Sequence, residues 1–557
     1  MRRRKFLKIS LFTLLVSALI FLGLRISSPN FLRLIPPEEK EDSIISLKRI
    51  KNGDSCYSIG KNWFKLNKYG LFELYVEGKP FERGVINGKL MRELVIYQEK
   101  VFVDQIMVMI PSERKLRLLR IFIAWFNRKI DHYIPHEFLE EIYGVSLSAD
   151  SKYSFIGSNY ERLVNYHAAH DIGHALADFH MVECTSFACW GKKSKDSTLI
   201  IARNFDFYAG DKFAENKIVT FIKPDKGYKM MLITWGGMIG AVSGMNEKGL
   251  TVTINAAKSH IPFAAKTPIS ILTREILQYA KNIDEAYAIA FRMTTFVSES
   301  ILIGSLADNK SVIIEKSPKK TVLFKSDQNF IISTNHFQSE EFSNKSIKSK
   351  NVILKASDKR FQRVKQLLNK HNQIDVYTSA AILRDQKGLD DKDIGMGNEE
   401  AINQLICHHS IIFKPSELKV WVSTPPYQLG PYICYDLNEI FSLNGLKQNR
   451  DVTNPALMIP ADSFLVLKKI NNFLIYKKYR DEFKTNSIKN DTIIRAFILS
   501  NPEFYLAYMQ TGDYYFKKEE FSKALYYYEL ASTKEVPTYK ETDHIKKRIE
   551  KCKEELK

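Results

Sequence analysis

The sequence predicts an α+β protein, in which a layered domain rich in β-strands is followed by a C-terminal region that is entirely helical. Short β-branched runs with few helical stretches between them dominate from residue 198 to about residue 421. After about residue 436 the strand pattern stops and helical periodicity continues to the end of the chain. At 557 residues the chain is also too long for one ordinary core, so we expect two or more domains.

The elements of the layered domain can be placed individually. Alternating stretches between residues 50 and 76 predict strands, and residues 84–106 and 112–131 carry helical periodicity. The later part combines many strands with a few helices, which favours stacked layers of secondary structure. The predicted strands are residues 199–202, 217–222, 230–234, 250–255, 311–315, 321–324, 330–334 and 418–422, and the predicted helices are 270–280, 282–291 and 360–369.

The composition is that of a folded protein with a basic surface. Hydrophobic residues make up 45% and charged residues 26% of the chain, and the formal net charge is +19. The lysines are spread along the chain, without the motifs or the aromatic-basic pattern typical of nucleic-acid binding, so we expect no nucleic-acid partner. A solvated basic surface and attraction to an acidic membrane surface remain as two interpretations.

The N-terminus has the pattern of an export signal. Arg2, Arg3, Arg4, Lys5 and Lys8 precede an uncharged, mostly apolar run at residues 9–24. Residues 1–25 are therefore predicted to be a cleaved signal peptide or an uncleaved membrane anchor, and residues 26–45 a linker. Both alternatives leave the body of the protein outside the cytoplasm, periplasmic or membrane-anchored.

One unit of the helical region, residues 508–537, has the pattern of a tetratricopeptide hairpin. Small residues at Gly512 and Ala524 would let two helices cross closely, while aromatic side chains fill the groove between them. A single unit has to pack on neighbouring helices. A structural cap and a protein-partner site both remain open. The residues on the pattern are Tyr508, Gly512, Tyr515, Phe521, Ala524, Tyr528 and Ala531.

The segment most informative about chemistry is residues 183–207, which reads as strand, tight turn, strand. Cys184 begins the first strand, and Arg203 and Asp206 end the second. A hairpin of this length brings the three together, and a nearby guanidinium lowers the pKa of a thiol. Asp206 would orient either the guanidinium or an amine freed at Cys184. The structural alternatives are a buried thiol and an ion pair, and Cys189 is assigned to the core.

This hairpin resembles that of the N-terminal-nucleophile (Ntn) hydrolases grouped around penicillin acyltransferase (peptidase family C45), acid ceramidase and choloylglycine hydrolase. Those families begin the mature chain with Cys-Thr or a similar pair and carry an Arg-Asn-x-Asp strand further on. Here the pair is Cys184-Thr185, and Arg203 follows 19 residues later.

Further stretches resemble the same group in order, so that the likeness covers roughly residues 70–430. Residues 77–84 with Gly88 resemble a glycine-rich prosegment signature, and residues 134–144 the helix after it. Residues 244–255 resemble the strand pair that ends in an oxyanion-hole asparagine, here Asn255. Residues 333–337 resemble the strand with a second active-site asparagine, Asn335. Residues 357–363 resemble the segment supplying an arginine, for which Arg360 is preferred and Arg363 competes.

The resemblance implies a four-layer αββα sandwich. Residues 46–183 would form the prosegment, residues 184–436 the catalytic domain, and residues 437–557 the helical domain. It also implies autocleavage between Glu183 and Cys184, after which the Cys184 thiol is the nucleophile and its α-amine the base. Asn255 would donate to the oxyanion, while Asn335 and Arg360 hold the surroundings of the nucleophile. No cofactor or metal is implied.

We therefore predict a cysteine Ntn amidohydrolase or acyltransferase that cleaves a linear amide of an N-acyl compound through a thioester. The export signal alone suggests that this compound is a lipid. Penicillin-type acyl exchange is the alternative within this class. From other classes, an inactive membrane-tethered scaffold with a partner-binding helical tail remains open, as does a metal-dependent hydrolase. The residues for the metal alternative are His167, His170, Asp171, His174 and His180; the run at residues 407–409 reads as a strand end.

Overall fold

The computed structural model describes residues 33–39, 41–110, 112–169, 171, 183–208, 210–257, 264–343, 352–446, 450–484 and 491–557. The predicted signal or anchor at residues 1–25 lies outside these ranges. Within them, no helix combines the length and apolar character needed to cross a membrane. The predicted α+β class is confirmed, with two large sheets, helices packed on them, and a helical C-terminal region.

The strands fall into two sheets and are numbered here in chain order. They are β1 (Ile50–Gly53), β2 (Cys56–Ile59), β3 (Asn62–Leu66), β4 (Phe72–Gly78), β5 (Thr185–Cys189), β6 (Ile200–Phe205), β7 (Ile218–Pro224), β8 (Met230–Thr234), β9 (Ser243–Asn246), β10 (Leu250–Ala257), β11 (Ser298–Ser305), β12 (Lys310–Lys316), β13 (Thr321–Phe324), β14 (Phe330–Ser333), β15 (His409–Lys414), β16 (Lys419–Ser423), β17 (Tyr432–Asp436) and β18 (Thr453–Ile459).

The first sheet has the order β1-β2-β3-β4-β7-β8-β9-β10-β11-β12-β13, and the second has the order β14-β5-β6-β15-β16-β17-β18. Neighbouring strands are antiparallel except for β4 and β7, which run parallel with Phe72 opposite Ile218. In the second sheet β5 and β6 form the predicted hairpin, in which Ser186 lies opposite Arg203. This register brings the start of β5 to the end of β6.

The α-helices alternate with the strands in the first part of the chain and then continue alone to its end. They are Asp42–Ile45, Pro80–Leu90, Arg92–Met109, Glu113–Asn127, His136–Ser146, Asn159–His167, Ile269–Tyr279, Ile283–Arg292, Glu340–Ser343, Val352–Lys370, Val376–Leu383, Leu437–Ser442, Ser463–Val466, Ile470–Lys484, Asp491–Ser500, Tyr505–Lys517, Phe521–Ser532 and Tyr539–Glu555.

Separate apolar cores lie on the two faces of each sheet. Val219 of β7 and Ile411 of β15 belong to a core that both sheets share. The other face of the first sheet packs on helices, with Ile254 and Phe138 in the same cluster. The second sheet packs on the helix Val352–Lys370. Because both faces are covered, the central strands carry apolar residues without strict alternation, as in β6, where each residue is buried.

Near two of the predicted domain limits, at residues 45 and 436, the chain packs against the layered domain, which the sequence does not indicate. In the described part of the predicted linker, Ile44 is buried against Phe81 and Val85. The expectation of helices alone after residue 436 is wrong at β18, which pairs with β17. Pro455 weakened the strand pattern there, yet a proline is tolerated on an edge strand, where its missing N–H breaks no ladder bond.

The C-terminal helices form a core of their own. Tyr476, Tyr505 and Tyr528 are buried in it. At the predicted close crossing, a Cβ built on Gly512 would lie 2.7 Å from the ring of Tyr528, so a larger residue cannot fit without movement. The small residue at position 512 therefore has the packing role that its spacing indicates.

Candidate active site

Cys184 lies immediately before β5 and is fully buried. The Nη2 atom of Arg203, on the neighbouring strand, is 3.6 Å from its Sγ atom. Burial raises the pKa of the Cys184 thiol to about 11, with the Arg203 guanidinium opposing the shift and Asp206 adding to it. The thiol is therefore protonated at neutral pH.

Arg203 is held by backbone and side-chain acceptors from the first sheet. Its Nη1 atom donates to the carbonyl of Val242 at 2.7 Å and to the hydroxyl of Ser243, and its Nη2 atom donates to the carbonyl of Ile254. The guanidinium also lies 4.3 Å from the ring centroid of Phe205. These contacts cross the boundary between the two sheets. They fix one edge of the Arg203 guanidinium toward Cys184.

Asp206 follows β6 and is fully buried beside the same thiol. Burial raises the pKa of its carboxyl to about 7, although Arg360, Cys407 and Arg203 oppose the shift. Among the described residues, neither carboxylate oxygen has a nitrogen or oxygen partner within hydrogen-bond distance, and the Cys407 thiol faces it. The site thus contains a carboxyl group that changes its charge near neutral pH.

Three groups of Glu183, the residue before Cys184, form polar contacts: its N–H, its carbonyl oxygen and its carboxylate. The Glu183 N–H donates to the Asp206 carbonyl at 2.9 Å. The Gln404 Nε2 atom donates to the Glu183 carbonyl oxygen at 3.2 Å. The Glu183 carboxylate forms a buried salt bridge with Arg360. Glu183 is therefore anchored through its backbone and its side chain.

The two predicted asparagines tie the sheets together next to Cys184. The Nδ2 atom of Asn255, on β10, donates to the Ser333 carbonyl at 2.7 Å. The Nδ2 atom of Asn335, after β14, donates to the Ala256 carbonyl at 2.9 Å. Each primary amide has two N–H donors, so each has a second hydrogen beyond these bonds. The structure brings Asn255 and Asn335 to adjacent strand ends, as the sequence predicts.

Arg360 and its competitor Arg363 are one turn apart on the helix Val352–Lys370 and have different partners. Arg360 is fully buried, and its Nη2 atom donates to Asn335 Oδ1 at 2.8 Å. Arg363 pairs instead with Asp385, at 2.8 Å, and with Asp391, at 2.7 Å. Geometry therefore places Arg360 at the site and Arg363 away from it.

Gln404 and Cys407 are members of the site that the sequence does not indicate. Both lie in the segment before β15, which carries no motif and no periodic pattern. His408 and His409 follow them and are buried. Burial lowers the pKa of His408 to about 3, and that of His409 well below its ordinary value, so both are neutral. His409 Nε2 lies 2.9 Å from the hydroxyl of Ser243, which contacts Arg203.

The histidines considered for a metal site are largely outside the described residues, which include His167 and Asp171. His167 Nδ1 lies 2.7 Å from the Leu163 carbonyl, and its Nε2 atom accepts the Ile239 N–H at 3.0 Å. Both ring nitrogens are thus engaged with backbone groups. Among the described residues no group of three or more potential ligands is placed to hold a metal ion.

A cavity of about 150 Å³ lies beside the Glu183–Cys184 link. The catalytic region contributes Glu183, Tyr208, Glu399 and Gln404 to its wall. Asp211, Gly397, Leu405 and Ile406 also line it, and the C-terminal region contributes Phe473, Tyr476, Lys477, Arg480, Phe504 and Leu506. The helical region therefore forms part of the surroundings of Glu183.

Comparison with known proteins gives the following similarities. A protein of Archaeoglobus fulgidus described as uncharacterized is 24% identical over 235 residues, which cover 39% of this chain and 38% of that protein. Among solved structures, the Caenorhabditis elegans ortholog of N-acylethanolamine-hydrolyzing acid amidase is 15% identical, with a TM-score of 0.30, over 42% of this chain and 93% of that chain. A variant of the conjugated bile acid hydrolase from Clostridium perfringens is 12% identical, with a TM-score of 0.31, over 49% of this chain and 95% of that chain.

The model of the family acyl-coenzyme A:6-aminopenicillanic acid acyl-transferase matches residues 191–425. This stretch contains Arg203, Asp206, Asn255, Asn335 and Arg360, and it begins shortly after Cys184. The resemblance to the penicillin acyltransferase-like family is thereby confirmed over residues 191–425.

Proposed function

We propose that the protein is an autoprocessed cysteine Ntn amidohydrolase or acyltransferase that cleaves a linear amide of an N-acyl compound through a thioester. The observation that carries the proposal is the arrangement around one peptide link. The Cys184 thiol lies beside Arg203, and the carbonyl before it accepts a hydrogen bond from Gln404. A nucleophile and a polarised carbonyl are the two parts that acyl transfer requires.

In the uncut chain the first reaction is an acyl shift. As the Cys184 Sγ atom attacks the Glu183 carbonyl carbon, the thiol proton passes to the Asp206 carboxylate. The C–N bond then breaks, and the released nitrogen takes this proton from Asp206 to become the α-amine of Cys184. Water adds to the resulting thioester, which leaves a carboxylate on Glu183 and restores the thiol. Gln404 stabilises the oxyanion during both additions.

In the cut chain Cys184 supplies both nucleophile and base. Its α-amine, with an ordinary pKa near 8, takes the thiol proton as sulfur adds to a substrate amide. The second N–H of Asn255 would donate to the oxyanion. The protonated α-amine then gives its proton to the leaving amine, and water or an acceptor amine resolves the thioester. No separate histidine is needed, because nucleophile and base share one residue.

Asp206 fits the cut state better than the uncut one. A buried carboxylate without hydrogen bonds is costly, yet both of its oxygens lack such partners among the described residues. A freed α-ammonium at Cys184 would provide a donor of opposite charge. Asp206 then orients the amine that acts as base.

The finer architecture belongs to the same proposal. The cores on both faces of each sheet support the four-layer αββα sandwich of the Ntn hydrolases. The close approach of Gly512 and Tyr528 supports a tetratricopeptide-like unit at residues 508–537. Residues 46–183, 184–436 and 437–557 serve as prosegment, catalytic domain and helical domain, and the catalytic domain acts outside the cytoplasm.

N-terminal sequencing of the purified protein tests the proposal. We expect two fragments, the second beginning Cys-Thr-Ser-Phe, and amide hydrolysis by the cut protein. Cys184→Ala should stay uncut and inactive. The matched control is Cys189→Ala, which alters a buried thiol on the same strand and should still be cut. An active protein that is intact across residues 183 and 184 would refute the mechanism.

A further inference from the structure

The cavity beside Glu183 has the volume of a small acyl group. In the proposed cleavage Glu183 is the acyl residue, so the cavity lies on the acyl side of the bond that is broken. Its volume is about 150 Å³, and a cavity of about 150 Å³ is known to hold benzene, a ligand with about six heavy atoms. The space therefore fits a short group.

Polar atoms in the cavity wall lack partners. The Tyr476 hydroxyl, Glu399 Oε2 and Gln404 Oε1 are buried, and among the described residues none has a hydrogen-bond partner. Buried polar groups are nearly always satisfied in folded proteins, so such a cluster indicates a place where a ligand supplies the missing bonds. Burial raises the pKa of Glu399 well above its ordinary value, and the neighbouring carboxylates of Glu541 and Glu183 add to the shift.

The charged residues in the cavity wall are Glu183, Asp211, Glu399, Lys477 and Arg480. Lys477 pairs with Asp211 at 2.6 Å, and Glu183 pairs with Arg360. Arg480 is 21% exposed, and its contact is with the adjacent Asp481, at 3.4 Å, a residue that is 62% exposed. Among the residues named as lining the cavity, Arg480 thus differs from Lys477, because its ion-pair partner Asp481 lies outside the cavity wall.

We propose that this cavity is the acyl subsite of the enzyme and that it selects a short acyl group ending in a carboxylate, bound by Arg480 and Tyr476. A guanidinium binds a carboxylate through paired N–H donors, and the tyrosine hydroxyl adds a further donor. The C-terminal helical region thereby supplies substrate specificity to the catalytic domain. This inference rests on the proposed function, because the acyl side is defined by the proposed cut.

A binding experiment tests the subsite without turnover. The Cys184→Ala chain is titrated calorimetrically with N-methylsuccinamate, which ends in a carboxylate, and with N-methylsuccinamide, its neutral counterpart. We expect the carboxylate to bind at least about tenfold more tightly, the factor expected of one hydrogen bond to a charged group. Arg480→Gln should remove this preference. Lys478→Gln, an exposed lysine on the same helix, should retain it. Equal affinities, a preference that persists in Arg480→Gln, or no binding would overturn the inference.

An activity experiment separates the inference from the proposed function. The cut protein is assayed with N-succinyl, N-succinamoyl and N-dodecanoyl 4-nitroanilides. A higher kcat/KM for the succinyl compound supports the subsite, and equal or higher values for the neutral compounds refute it while leaving the amidase proposal intact. A third outcome is that N-methylsuccinamate binds as expected, while the protein hydrolyses none of the three nitroanilides and keeps its Glu183–Cys184 link intact. In that case the proposed function fails and the binding site stands.

Discussion

The side-chain amide of Gln404 donates a hydrogen bond to the carbonyl oxygen of Glu183 at 3.2 Å. The two residues are 221 positions apart in the chain. The bond joins the segment before β15 to the peptide link that precedes Cys184, and it lies where negative charge would develop if the thiol attacked that link.

Replacing Gln404 should slow autocleavage. Loss of one oxyanion donor typically lowers a rate by about 10² to 10³, so Gln404→Leu should accumulate the uncut chain. The measurement is the first-order appearance of the two fragments on a denaturing gel after refolding. Gln362→Leu, an exposed glutamine elsewhere, is the control and should cleave at the native rate. Native cleavage in Gln404→Leu would show that the hydrogen bond has no role in this step.

The rate of autocleavage should depend on pH through Asp206. Burial raises the pKa of its carboxyl to about 7, and the ionised form, which accepts the thiol proton, grows as pH rises through that value. We expect the rate constant to rise about tenfold per pH unit below 7 and then level off. Asp206→Asn should be slow and lack this inflection. An unchanged profile in that variant, or a rise that continues toward the thiol pKa of about 11, would exclude Asp206 as the base.

Removing one member of the buried Glu183–Arg360 salt bridge should destabilise the uncut chain more than removing both members. Removing one member of a buried salt bridge typically costs about 3 to 5 kcal/mol, because a charge is left buried without its partner. In the Cys184→Ala background, Arg360→Met should lower the free energy of unfolding in urea by about 3 kcal/mol. Adding Glu183→Gln should recover part of that loss. Additive effects in this double-mutant cycle would mean that the two residues do not interact.

Asn255 should act on turnover of substrate by the cut protein. Asn255→Ala is expected to lower kcat by about a hundredfold, as for other oxyanion donors. Thr253→Val provides the control, because Thr253 lies on the same strand and its buried hydroxyl has no hydrogen-bond partner among the described residues. Equal activities of the two variants would contradict the role of Asn255.

The elements that the sequence predicts well are those whose signal is local. The hairpin of Cys184 and Arg203 could be predicted because two apolar runs and a short polar loop fix both the strands and their register. Met230–Thr234 and Thr321–Phe324 match the predicted bounds for the same reason. Strand β11, by contrast, was not predicted, since Ser298, Glu299 and Ser300 obscure its apolar residues until they are buried between neighbours.

The parts of the site that could not be predicted depend on long-range packing. Gln404 reaches Glu183 from a segment without regular structure, and no spacing in the sequence marks that approach. The choice between Arg360 and Arg363 also depended on which residues from distant parts of the chain pack against each turn of one helix. The cavity walls come from distant parts of the chain, so tertiary structure had to be known before Arg480 could be related to Glu183.

The parallel pairing of β4 with β7 has a consequence for the product of autoprocessing. β4 precedes the proposed cut and β7 follows it, so the backbone ladder from Phe72–Ile218 to Gly78–Pro224 would bridge the two polypeptides. The nicked molecule should therefore migrate as one particle under native conditions, and its pieces should separate only in denaturant. Neither piece, synthesised alone, would possess a complete sheet, which makes a single-chain precursor the natural route to an inseparable heterodimer.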